Sequence, residues 1–440
     1  MRNKLTYIAA FLILVSFTAT KAQVSEPFKN PFPSPLSVAH TWNRSLTKKA
    51  GQMLGEQWAK EGMKEVNAPN LTVVQPRYNQ CCLNFYGESP YLTAETGVEM
   101  VKGLQNKEQL KAFLVFDEKE RQAPYVRPYQ RVLDEAHAAG IATEAQIQSS
   151  ANKKTKTLPV SDEFKKTALQ VAHESIVLLK NAGNILPVDT AWVKSIAVCG
   201  QQELVNDMKV SLEQTLACKV IVTENTEEAS KADMIVVFED DSIDSEATNR
   251  LLLTGKPVVM VLLNSHPVKL DNALNASAII EAWHPGQQGP QAIANVLAGI
   301  YNPGGKLTVT FPDFAFGHGL SYTDFRYTNL RLEPNQITPN GSVTVRFNVT
   351  NTGYRAGAEV VQVYLTDENS SVKLIEPKLE ACKRTNINPG QTKEVKFTIR
   401  QRNMVLLNQA GKWVIEPGFF TVKVGGSSDD IRLQGRFEVK

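Results

Sequence analysis

The chain has 440 residues, a length that suits two to four domains at about 100–200 residues each. Its apolar content of 42% and charged content of 21% are ordinary for globular protein. A net charge of +3 without a sustained basic block argues against nucleic acid as a partner. Past the N-terminus no stretch approaches the about 20 apolar residues that a membrane span needs.

In chain order, the first segment reads as a signal peptide over 1–22. Arg2 and Lys4 supply the basic start, Leu5 to Phe17 is mostly apolar, and Thr20, Lys21 and Ala22 offer a small-residue cleavage site before Gln23. The sequence then turns polar and Pro-rich, and no Cys follows the cleavage site, so the mature chain is expected to be exported and soluble, secreted or periplasmic, without a lipid anchor. From 23 to 150 the pattern predicts helices at Ser45 to Met63, Ala94 to Leu104 and Glu118 to Ala139, the last interrupted near Pro124 and Pro128. One strand is predicted at Leu71 to Val74, and the polar stretch "QSSANKKTKTLP" reads as a hinge.

The second zone, 160–322, alternates helices with buried strands. In "DEFKKTALQVAHESIVLLKN" Phe164, Ala168, Val171, Ala172, Ser175 and Leu179 recur at helical spacing on one face. "KSIAVCG", "ADMIVVF", "KPVVMVLLN" and "SAIIEAW" are continuous apolar runs, as parallel strands covered on both faces should be. Alternation of this kind predicts a layered α/β domain. In "HPGQQG" Gly286 and Gly289 suit a tight strand-to-helix entry, with a helix from Gln287 to Leu297. The third zone, 332–440, changes period: in "GSVTVRFNVTNTG" Val343, Val345, Phe347 and Val349 alternate with polar residues. About seven short strands of this type, separated by turns, predict an all-β sandwich.

Five cysteines, Cys81, Cys82, Cys199, Cys218 and Cys382, are too few and too scattered for a disulfide framework. Neither CxxC nor His-x-His spacing occurs, so the sequence calls for no metal and no cofactor. His284 and His318 stand beside turns without metal-ligand spacing, and packing or hydrogen bonding is the expected role of both.

Three long segments resemble a known family. "HESIVLLKNAGNILPV" (173–188), "EAWHPGQQGPQAIANVLAGIYNPGGKLTVTFP" (281–312) and "FAFGHGLSYTDFRYTNL" (314–330) are similar to the second domain of glycoside hydrolase family 3. "NTGYRAGAEVVQVYL" and "KVGGSSDDIRL" resemble the fibronectin-III-like domain that often follows it. Members of that family normally begin with a (β/α)8 barrel, which needs 200–250 residues, roughly. Only roughly 130 residues lie between the cleavage site and the hinge. The resemblance therefore implies an α/β fold class with three parts: an incomplete (β/α) barrel remnant, an α/β sandwich domain and an all-β fibronectin III-like sandwich.

The resemblance also implies a chemistry. Retaining glycosidases use two carboxyl groups about 5–5.5 Å apart, one as nucleophile and one as acid/base. The family's sugar-gripping Asp falls on Thr72, its second Arg and nearby acidic residue on Gln80 to Leu83, and the Asp of its "GEDP" turn on Ser89, with Glu88 and Pro90 retained. A Thr cannot accept the paired charged hydrogen bonds that a carboxylate can. The family's Lys-His pair matches Lys111 and Ala112, so Lys111 is either a surviving substrate ligand or a surface lysine. Asp117, at the end of the apolar run "AFLVF", is the nucleophile candidate; the longer match makes it a helix N-cap instead. Glu246 with Arg250 fits the family's acid/base loop, Glu246 as proton donor and Arg250 as substrate ligand. The alternative is a solvated acidic loop of Glu239, Asp240, Asp241, Asp244 and Glu246.

These substitutions together point away from a working β-glucosidase or β-xylosidase. Without a covalent nucleophile the two-step route itself is lost. The expectation is an impaired or inactive relative, a pseudoenzyme that binds β-linked glycosides or another protein, or else a decayed gene product. A partial barrel exposes strand edges, which a dimer or a partner chain would cover.

Overall fold

The computed structural model describes residues 27–74, 81–106, 110–115, 157–241, 245–372 and 378–440. Both the leader and the predicted helix at Glu118 to Ala139 lie outside these residues. The N-terminal region contributes helices α1 (Pro35–His40), α2 (Arg44–Lys60) and α3 (Pro90–Leu104). Each starts on a side-chain cap that satisfies a first-turn N–H: Ser34, Asn43 and Ser89 accept from Ser37, Leu46 and Leu92. Two strands, β1 (Glu65–Asn70) and β2 (Lys111–Val115), pair in parallel, Glu65 opposite Lys111 and Asn70 opposite Val115. Helices α2 and α3 cross through glycines: a Cβ on Gly103 would fall onto the Lys48 carbonyl, and Gly51 and Gly55 press on the backbone of Met100 and Leu104.

The prediction of a single strand at Leu71 to Val74 is corrected here. Those residues form an irregular segment, and the strand precedes them. "EVNAPN" has weak strand propensity, but its pairing with β2, a second strand that the sequence reading missed, overrides this. Helix α3 also starts four residues before the predicted Ala94, because Ser89 caps it and Pro90 suits its first turn.

The middle domain is a six-stranded sheet of order β3-β8-β7-β6-β4-β5. Its strands are β3 (Val177–Asn181), β4 (Ser195–Gly200), β5 (Lys219–Val222), β6 (Met234–Glu239), β7 (Val258–Leu262) and β8 (Ala278–Glu281). All neighbours are parallel except β3, which lies antiparallel on β8 at the edge. Helix α4 (Asp162–Ser175) ends before Leu179, which belongs to β3 and not to the helix face predicted for it. Strands β3 and β5 are short and flanked by polar residues, which hid them from a search for apolar runs.

One sheet face is covered by α4, α5 (Gln202–Thr215) and α8 (Gly289–Leu297), burying Val198, Val236, Val261, Met208 and Ile293. The other face, with α6 (Thr226–Ala229) and α7 (Ser245–Leu252) near it, buries Cys199, Val237 and Met260 against Val74, Cys82 and Leu83 of the N-terminal region. The N-terminal region is thus one wall of the α/β core. Gly286, at φ 71, lets the chain turn into α8 where a Cβ would strike Asn30 and Phe32.

The C-terminal sandwich packs a five-stranded sheet on a three-stranded one, in the orders β10-β18-β17-β12-β13 and β14-β11-β9. Its strands are β9 (Phe325–Glu333), β10 (Gln336–Ile337), β11 (Val343–Asn351), β12 (Gly357–Asp367), β13 (Lys378–Ile387), β14 (Thr392–Ile399), β17 (Gly418–Gly425) and β18 (Ile431–Val439), with a small hairpin, β15 (Leu406–Leu407) and β16 (Trp413–Val414), beside them. Strand β11 alternates buried and half-buried residues, as its sequence predicts. Strand β12 is buried on both faces, because Val360 and Tyr364 turn outward onto Trp42, Tyr91 and Phe316. Arg384 of β13 joins all three regions: its guanidinium pairs with Glu174 at 3.2 Å and donates to the carbonyls of Thr41 at 3.0 Å and Gly304 at 2.6 Å. All five cysteines are free thiols; Cys199 lies in the core on the face that meets the N-terminal region, and Cys218 packs against the core on the opposite face.

Candidate functional site

Ligands of open α/β sheets bind beyond the carboxyl ends of the strands. Here β6, β7 and β8 end together, followed by Asp240 and Asp241, by Asn264, Ser265 and His266, and by Trp283 and His284. Ser265 donates to Asp241 twice, from its backbone N–H at 2.5 Å and from its hydroxyl at 2.7 Å. His266 Nδ1 lies 3.1 Å from Asp241 Oδ1 and 3.3 Å from Ser265 Oγ. With the Ser265 hydrogen spent on an acceptor-only carboxylate, Nδ1 carries its hydrogen toward Asp241. Burial disfavours the Asp241 charge, but the bonds from His266 and Ser265 outweigh it and hold the pKa below the ordinary carboxylate value.

Behind this trio lies a drier layer. Glu281 is fully buried, and burial raises its pKa well above the usual value, against the bonds from the Trp283 N–H and Asn264. His284 is pushed down to about 4 by burial and is neutral. Asn264 Oδ1, Glu281 Oε2, Trp283 Nε1 and His284 Nδ1 are buried without a hydrogen-bond partner. The His284 carbonyl accepts from the Ser34 N–H and the Ser37 hydroxyl, so the backbone of this residue, not its ring, ties the two regions together. His318 Nε2–H donates to the Leu179 carbonyl, 2.9 Å away, and the ring stacks on Phe314.

The described residues 71–74 and 81–89 pack near these strand ends. The Cys82 N–H donates to the Ser265 carbonyl at 2.7 Å, and Val74 and Glu88 donate to the carbonyls of Gly87 and Thr308. Both Glu88 carboxylate oxygens are occupied by Thr310, one by its backbone N–H at 2.8 Å and one by its hydroxyl. Burial nonetheless raises the Glu88 pKa above the ordinary value. Ser89 caps α3, and Thr72 is buried with its N–H on Asn70 Oδ1. None of these side chains offers a free carboxylate. Cys81, on the exposed rim, lies beside Ser265 and Asp241.

The sequence-predicted residues fall elsewhere. Glu246 and Arg250 come together, 2.8 Å apart, as an i, i+4 pair on α7, with Glu246 87% exposed. Lys111 is the exposed first residue of β2, whereas Thr72 follows the opposite end of the β1–β2 pair. The structure does not bring those two together. Asp117 lies outside the described residues, two positions after β2. The acidic loop is less solvated than expected: Glu239 is buried and accepts from Thr248, and Asp241 belongs to the trio. Among the described residues, no group of three or more His, Cys, Asp or Glu is arranged to hold a metal ion. The polar pair Ser265-His266 directly after an apolar run was the sequence signal for this cluster, legible once β7 is known to end there.

The architecture is a layered α/β domain followed by a β-sandwich, and comparison with known proteins identifies the family. "Glycosyl hydrolase family 3 N terminal domain" matches residues 18–117, "Glycosyl hydrolase family 3 C-terminal domain" 176–360 and "Fibronectin type III-like domain" 359–428. The chain belongs to glycosyl hydrolase family 3. A β-xylosidase of Formosa agariphila is 31% identical over 360 residues, covering 62% of this chain and 50% of the relative. A periplasmic β-glucosidase of Salmonella typhimurium is 32% identical over 277 residues, covering 50% of this chain and 36% of the relative. The chain thus spans half or less of the length of these curated relatives. A β-glucosidase from Listeria innocua, solved in complex with glucose, has a similar fold at a TM-score of 0.78 and 19% identity, over 94% of this chain and 86% of that one. Among the described residues no helix is long and apolar enough to cross a membrane.

Proposed function

We propose that this chain is an exported relative of the β-glucosidases and β-xylosidases that binds β-linked glycosides and has lost most or all hydrolysis. The observation that carries the reading is the loop from Thr72 to Ser89. Where the family resemblance calls for sugar-gripping carboxylates, Thr72 has none, Ser89 serves a helix cap, and Glu88 is taken by Thr310. Transition-state stabilisation needs charges aimed at the reacting centre, and among the described residues of this segment no carboxylate is free to supply one.

Glu246 remains the acid/base candidate and Arg250 and Lys111 the candidate ligands. The exposure of Glu246 supports a reduced role, because a general acid needs a pKa raised toward neutrality by burial or a like charge. Asp117 is the nucleophile to test. The basic and apolar start of the chain, with a relative named as periplasmic, supports export. Strands β1 and β2 pair with each other alone among the described residues, which favours a second copy or partner chain at their edges.

The experiment is calorimetric titration of the purified chain with laminaribiose, cellobiose and xylobiose, beside turnover assays with chromogenic aryl β-glucosides and β-xylosides. The expected result is binding heat for at least one disaccharide and no turnover. Turnover that Glu246→Gln or Asp117→Asn abolishes would show a working enzyme, and flat titrations throughout would remove the glycoside reading.

A further inference from the structure

The trio of Asp241, Ser265 and His266 is more than a structural knot. Its polar atoms are arranged in order: the Ser265 hydroxyl and the His266 Nδ1 both converge on one carboxylate. Among the described residues His266 Nε2 has no partner, yet it is not among the buried orphan atoms, so solvent reaches it. A carboxylate that holds Nδ1–H fixes the tautomer and leaves the Nε2 lone pair as an acceptor. The ring itself is held firmly, its side chain 15% exposed.

Three further observations say what would sit there. The trio lies beyond the carboxyl ends of β6 and β7, where ligands of parallel sheets bind. Cys82 of the N-terminal region is fastened to the same place, its N–H donating to the Ser265 carbonyl. The Asp241 carboxylate, held ionised by the bonds from Ser265 and His266, repels an anion, while His284 behind it, its pKa pushed down to about 4 by burial, supplies no positive charge to draw one. A ligand that brings neutral O–H donors fits; a phosphate or carboxylate does not.

We propose that Asp241, Ser265 and His266 form a binding site for a hydroxyl group of a neutral glycoside, with His266 Nε2 accepting the ligand's O–H. This rests on the glycoside-binding reading and adds the side chain that makes the contact. The sheet end, not the loop, then holds the sugar. Ser265 and Asp241 act as positioning residues that orient the imidazole.

The test is titration of the full chain with laminaribiose, comparing wild type with His266→Ala, His266→Gln and Asp241→Asn, each checked for folding by its unfolding midpoint. In parallel, the imidazole resonances of wild type are followed as the disaccharide is added. The expected result is about tenfold or greater loss of affinity for His266→Ala, a smaller loss for His266→Gln, whose amide oxygen still accepts, and a shift of the His266 resonance. A wild type that binds, with His266→Ala and His266→Gln binding equally well and a resonance that does not move, would overturn the site while leaving glycoside binding intact. If wild type gives no heat with any disaccharide, both readings fall. Should His266→Ala not fold, His266→Gln and the wild-type resonance still decide.

Discussion

The two sides of the seam treat their polar groups in opposite ways. On the loop side Thr72, Glu88 and Ser89 spend their hydrogen-bonding capacity on the protein: a buried turn, Thr310 and a helix cap. On the sheet side Asp241 and Ser265 spend theirs on orienting His266, whose Nε2 stays open. The difference teaches that a loop can keep its frame through backbone bonds and packing after its chemistry has gone. The Cys82 to Ser265 and Glu88 to Thr308 bonds need no particular side chain. A site, in contrast, needs a polar atom that the fold leaves unspent.

That comparison can be broken from the outside in. The largest effect is expected from Arg384→Ala, which removes the cation joining the three regions and leaves the buried Glu174 carboxylate with only the neutral donors Asn43 and Gln170. Loss of one member of a buried pair costs about 3–5 kcal/mol, to be read from urea unfolding, and loop and sheet should part together. A cost under about 1 kcal/mol, the value of a surface pair, would mean that the three regions do not depend on this clamp.

The Glu281→Gln substitution is expected to act in the opposite direction. A carboxyl whose folded pKa is raised above its unfolded value contributes stability at low pH and loses it as pH rises through and above the unfolded value. Replacing Glu281 by its neutral amide should therefore raise the thermal midpoint by a few degrees at pH 7, with the gain shrinking toward pH 4. His40, pushed down to about 3 by burial, works the other way, its folded form losing stability as pH falls from about 6.5 toward 3. Thermal scans of both proteins across pH 4–8, approximately the span of these titrations, would separate the two. An Glu281→Gln protein less stable than wild type at pH 7 would mean that this carboxyl is ionised in the fold.

The smallest expected change is on the loop side. Ser89→Ala removes only the cap of α3, a cost of about 1 kcal/mol, and should leave disaccharide binding as it is. A Ser89→Ala chain of normal stability that binds more weakly would return the ligand to the loop.

How much of this was legible in the sequence depended on what signalled each part. The strands of the α/β sheet were plain in "KSIAVCG", "ADMIVVF" and "KPVVMVLLN", because burial on both faces leaves continuous apolar runs. The sandwich showed in the alternation of "GSVTVRFNVTNTG". Strand β1 was missed because "EVNAPN" takes its state from pairing, which local propensity does not carry, and β2 because its apolar run "AFLVF" was read only for the Asp117 that follows it. Thr72 and Ser89 marked a changed loop, but only the fold shows that Ser89 has become a cap and that Glu88 is held by Thr310. Asp241 was hidden in an acidic run that looked solvated, and His266 lies four residues past the end of β7, in a run whose end the sequence blurs. Their meeting depends on β6 and β7 lying side by side, a fact of topology and not of spacing.

The most direct test of the central claim pairs two readings on one preparation of the intact chain: heat on titration with laminaribiose and turnover of an activated aryl β-glucoside. The account predicts saturable binding and no release of the aryl group above the uncatalysed rate. Turnover at the rate of a working β-glucosidase, lost on Glu246→Gln, would contradict it.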